Sequence, residues 1–122
     1  MTWRSGLSLV AVTMGVLWIA TSSSMAQGKG DAKAGETVYK GQCVKCHGDT
    51  GAGDGPQAQK LKDKPASWAA GAGMKDMTDQ QLFEAIQKGG PAVGKSRLMP
   101  GYPKLSEADV WNVVAYIKTL KK

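Results

Sequence analysis

Cys43 and Cys46 are the only cysteines in the chain, and His47, the only histidine, follows directly. Two thiols at this spacing can close a disulfide, run thiol–disulfide exchange, or help to hold a metal. The histidine adds a fourth option. Cys43-Val44-Lys45-Cys46-His47 is the attachment signature of c-type haem. Two thiols one short turn apart can add to the two vinyl groups on one edge of a haem, and the next residue then brings an imidazole to the iron. The competing readings each lack something. A thioredoxin-like pair sits at a helix start near a βαβ pattern, whereas this pair ends an expected helix and strand-like alternation is scarce. Structural zinc wants four ligands, and two Cys and one His fall short without a carboxylate. With His47 unique, bis-histidine ligation within one chain is excluded.

A second axial ligand has to come from elsewhere. Three methionines follow the motif: Met74, Met77 and Met99. A methionine more often fills a core than binds a metal. Met99 stands apart because Pro100 and Pro103 stiffen the loop that carries it, shortly before the last expected helix. Spacing alone favours it only modestly over the other two.

Three segments read as helices that would position these groups. The first spans Asp31 to Gln42, with Asp31 as its cap and Gly35, Val38, Tyr39, Gln42, Cys43 and Cys46 at helical spacing. The second spans Thr78 to Lys88, where Thr78 and Gln81 have capping-box spacing and Leu82, Phe83 and Ile86 share a face. The third spans Ser106 to Leu120, with an apolar stripe of Val110, Val113, Val114, Ile117 and Leu120. Long loops, His47 to Met77 and Gly89 to Leu105, separate them, and a short helix is possible around Gln57 to Leu61. Loops this long in a small domain need something to wrap around. The expected fold is therefore all-α, with three main helices and long loops around one bound cofactor.

Ahead of this domain, Arg4, the apolar run Leu7 to Ala20 and Ser24-Met25-Ala26 resemble a secretory signal. Residues 1–26 are expected to be cleaved, leaving 27–122 as the working domain in the periplasm. Retained, the same segment would tether the domain to a membrane. The formal charge of +6 becomes +5 once Arg4 is gone. Bases are dispersed, without the aromatic interleaving that single-stranded nucleic acids favour, so no nucleic-acid partner is expected. A basic surface fits acidic protein partners, or simply solubility.

With these residues in view, the chain resembles the class I, bacterial-type cytochromes c across nearly all of the mature segment. Gly35 and Tyr39 match that family's pair on the first helix, and Val113 and Tyr116 match its contact pair on the last. Asp54-Gly55-Pro56 resembles the loop whose proline carbonyl accepts the proximal histidine's Nδ1–H, with Pro65 a second candidate. Met99-Pro100-Gly101-Tyr102 resembles the axial-methionine loop. The resemblance implies one covalent haem c on Cys43 and Cys46, His47 and Met99 as axial ligands, and Pro56 orienting His47. It implies an electron carrier rather than an enzyme, working as a monomer or small complex subunit with redox partner proteins. Lys45 would lie near the exposed haem edge, with Lys40, Lys95, Arg97 and Lys104 as a candidate rim. Two other readings remain: a cytochrome subunit of a periplasmic dehydrogenase complex, or a ligand-binding or peroxidatic haem protein with an open sixth site. The segment Lys62 to Met77 carries no signature.

Overall fold

The computed structural model describes residues 29–120; the expected leader, 1–26, lies outside them. No strand occurs among the described residues. Four helices follow in order: α1 (Ala32–Gln42), α2 (Val44–His47), α3 (Asp79–Lys88) and α4 (Glu107–Thr119). Single 3₁₀ turns at Ala58–Lys60 and Gly90–Val93 punctuate the loops. The three long helices fall where capping and periodicity place them. The first ends at Gln42 as expected, and the chain restarts beyond Cys43 as the single turn α2.

Each long helix starts on a side-chain cap, which satisfies amides that the helix itself leaves unpaired. The Asp31 carboxylate accepts from the Lys33 and Ala34 amides. Thr78 and Gln81 form a reciprocal capping box, with Gln81 N–H donating to Thr78 Oγ1 at 3.2 Å and Thr78 N–H to Gln81 Oε1 at 2.9 Å. Ser106 Oγ accepts from the Asp109 amide.

The principal helix contact is α1 across α4. Gly35 permits it, because a Cβ there would overlap the Asn112 carbonyl. One turn further on, Tyr39 packs on Tyr116 with ring centroids 5.1 Å apart. The start of α1 is pinned to the same helix, where the Asp31 amide donates to Asn112 Oδ1 at 2.7 Å. Helix α3 closes the third side: Leu82, Phe83 and Ile86 join Tyr39, Val110, Val113, Val114 and Ile117 in one small core. Several of these core residues have a second neighbour, which is a cavity.

Candidate functional site

A cavity of about 300 Å³ opens beside the core. That is within the range of small-molecule and cofactor sites, roughly 300–1,000 Å³. Cys43, Cys46 and His47 form part of its wall, Met77, Met99 and Pro100 another part, and Leu82, Ile86, Val113 and Ile117 its floor. Residues separated by half the chain thus meet at one apolar space. Of the three methionines weighed as ligands, Met77 and Met99 line it and Met74 does not.

The backbone explains how α2 is held against the cavity. The carbonyls of a helix's last turn need outside donors. Here the returning loop supplies them: the amides of Gln57, Gly55 and Gly53 donate to the carbonyls of Lys45, Cys46 and His47 at 2.8, 3.2 and 2.9 Å. Gly55 is required for that approach, since a Cβ would overlap the carbonyls of Val44 and Lys45. Tyr39 adds a buried bond, its hydroxyl donating to the Gly48 carbonyl at 2.6 Å. The cysteine–histidine turn is therefore fastened on both sides before any cofactor is considered.

The methionine loop is anchored to α3 and α1. The Tyr102 amide donates to the Ile86 carbonyl at 2.9 Å and the Gly90 amide to the Met99 carbonyl at 3.1 Å. Across the cavity wall, the Tyr102 hydroxyl donates to the Gln42 carbonyl at 3.2 Å. This bond ties the loop carrying Met99 to the residue just before Cys43.

The electrostatics favour neutral ligands over a reactive thiolate. Burial, with a smaller contribution from Cys46, pushes the Cys43 thiol up to about 11. Cysteines that act as thiolates are shifted the other way. Burial also lowers His47 to about 4, so its imidazole stays neutral at pH 7, the form that binds metals. His47 Nδ1 is buried with no hydrogen-bond partner. Among the described residues, no cluster of three or more His, Cys, Asp or Glu could hold a metal ion unaided. Both cysteines are free. Zinc, a thiol redox pair and a disulfide each lose ground on these observations. An apolar cavity walled by two thiols, a neutral imidazole and thioethers fits a haem.

A profile described as cytochrome c matches residues 32–121. The chain belongs to the cytochrome c family. Its helical fold and its cofactor, covalently bound haem c, are those of that family, whose common work is haem-based electron transfer. Cytochrome c-554(547) of Halothiobacillus neapolitanus is 32% identical to this cytochrome over 99 residues, 75% of this chain and 99% of that protein. Cytochrome c oxidase subunit 2 of Alkalihalophilus pseudofirmus is 30% identical over 93 residues, which is 74% of this chain but only 26% of that subunit. Among solved structures, a chain of the Kuenenia stuttgartiensis reducing HAO-like protein complex superposes with a TM-score of 0.62 at 26% identity. The match covers 75% of this chain and 44% of that one. The KustC0563 c-type cytochrome superposes with a TM-score of 0.56 at 25% identity, covering 72% and 98%.

Pro56 is exposed and lies outside the cavity wall, whereas Pro65 is in it, and His47 Nδ1 has no hydrogen-bond partner. The loop at 54–56 closes on α2 through Gly55, whose amide and missing Cβ allow the approach. Trp68, in the segment without a signature, lines the cavity and stacks on the His47 ring, with centroids 4.1 Å apart and planes 16° from parallel. Of the expected basic rim, Lys95 reaches the cavity wall, joined by Lys64. Lys45, Arg97 and Lys104 are exposed. Lys40 is paired with Glu36 at 2.6 Å.

Proposed function

We propose that this cytochrome carries single electrons in the periplasm, after removal of residues 1–26, through a haem c held by Cys43 and Cys46 and ligated by His47 and Met99. The observation that carries the reading is one apolar cavity whose wall joins the Cys43–His47 turn to the Met99 loop. Haem c, when bound, supplies a one-electron iron couple.

The chain's own residues would do the rest. Cys43 and Cys46 would form the thioethers that prevent cofactor loss. His47, neutral and fastened by the loop amides, would offer a ring nitrogen without first losing a proton. Met99 would offer a thioether, which favours the reduced state and raises the potential. Leu82, Ile86, Val113 and Ile117 would exclude water, and that pushes the potential the same way. With both axial positions filled by protein, no site would be open to oxygen or peroxide, so a carrier role fits better than catalysis.

Lys64 and Lys95 in the cavity wall, with Lys45 and Arg97 exposed nearby in sequence, would meet a partner of acidic surface. The likeness to a chain of a larger redox complex supports a second reading, that the domain works as a subunit inside such an assembly.

The test is Met99→Ala against Met77→Ala, both matured with haem. Met99→Ala is expected to lower the potential, abolish the weak far-red band of ferric methionine-ligated haem and let the reduced protein bind carbon monoxide. Met77→Ala is expected to retain all three native properties. The reverse pattern would transfer the ligand role to Met77.

A further inference from the structure

The proximal histidine has a covered face, and the residue that covers it is itself locked from several sides. Trp68 lies nearly parallel to the His47 ring at 4.1 Å. Its amide donates to the Gly51 carbonyl at 2.7 Å, which fixes the backbone beneath the indole. Its ring also contacts Tyr39, at 6.1 Å between centroids. Two glycines shape its seat. A Cβ at Gly51 would come within 3.0 Å of Trp68 Cε3, and one at Gly73 within 2.5 Å of Trp68 Cδ1 and 2.7 Å of Nε1. Gly51 also has a left-handed backbone, φ 70°, that itself favours glycine, whereas at Gly73 it is the indole that leaves no room for a Cβ.

We propose that Trp68 is a positioning residue for the haem iron, acting through His47. The inference rests on the reading that His47 is an axial ligand. Stacking leaves the imidazole one orientation about its own axis, so the indole sets the plane of the ligand. It also keeps water off that face, in a site where the Nδ1 nitrogen already lacks a protein partner. Partners of a metal-bound histidine tune the metal by orienting the ring and controlling its exposure to solvent. Water admitted beside the ring would stabilise the more highly charged oxidised iron, so loss of the indole lowers the potential.

The experiment uses haem-loaded protein and two readouts, the reduction potential and the anisotropy of the ferric low-spin electron paramagnetic resonance signal. Trp68→Ala is expected to lower the potential and change the anisotropy, and Trp68→Phe to restore most of both. Gly73→Ala is the remote probe. Its backbone is not left-handed, so alanine fits the chain but pushes on the indole. It should shift both readouts in the native background and neither in the Trp68→Ala background. Unchanged potential and anisotropy in Trp68→Ala and Gly73→Ala, with only a loss of thermal stability, would overturn the proposal. Equal Gly73→Ala shifts with and without the indole would do the same, since the effect would then bypass Trp68. Ligation is read separately from the native protein: no low-spin signal there overturns the His47 reading as well, whereas a native signal with unresponsive variants overturns only the role of Trp68.

Discussion

At the scale of single residues, the groups with the most distinctive chemistry were the most legible. The Cys43–His47 spacing prescribes a covalent cofactor because few other structures need two thiols and an imidazole in five residues. Tyr39 was legible as a helix-face aromatic, but its hydroxyl was not. That hydroxyl is buried against the Gly48 carbonyl, and burial holds its pKa well above the ordinary 10.0. Tyr39→Phe strands the carbonyl and should cost about 1–3 kcal/mol in denaturant unfolding of the haem-bound protein. The same group fixes a pH dependence. Its folded pKa is raised, so its contribution is complete below the unfolded value and falls as pH climbs above about 10. Tyr39→Phe should flatten that alkaline limb, as measured by stability against pH. Trp68 escaped the sequence reading because it stands alone among small and polar residues, with no periodic neighbour to mark a face. Its partner is a ring in a distant segment, and only the fold joins them.

At the scale of elements, caps and periodicity located all three long helices, because those signals are local. The closure of the returning loop on α2 is not local, because its amides bond to the carbonyls of Lys45, Cys46 and His47 and that pairing is invisible in a helical pattern. The two glycines of α1 make the distinction measurable. Gly35 sits where a Cβ would strike the α4 backbone, while Gly41 has open space around it. Gly35→Ala is expected to destabilise by about 1–3 kcal/mol, the range of overpacked contacts. Gly41→Ala should stabilise by about 0.5–1 kcal/mol, since only helix propensity changes. Thermal unfolding of the two variants side by side checks both signs. The ion pair between Lys118 and Asp79, at 2.9 Å and half exposed, joins α4 to α3 but should contribute little.

At the scale of the molecule, the core and the cavity share their walls. Ile86, Val113 and Ile117 are buried on one side by protein and on the other by whatever fills the space. Without its cofactor the domain loses that second side and the apolar burial that comes with it. Chain matured without haem is therefore expected to bind the dye ANS, lose near-ultraviolet dichroism and unfold without a sharp transition. A cooperative transition in the haem-free chain would contradict this. The charge of +6 is likewise a property of the whole. Electron exchange with an acidic partner should slow as ionic strength rises, read by stopped-flow, and Lys95→Glu should weaken that dependence. The start of α1 has one more consequence. Lys29 lies over Trp111 at 4.5 Å, and neither residue contributes to the cavity wall. Lys29 thus meets the domain at residues outside the cavity wall, so a fusion partner, a surface linker or an electrode tether joined there is expected to leave the cavity residues uncovered.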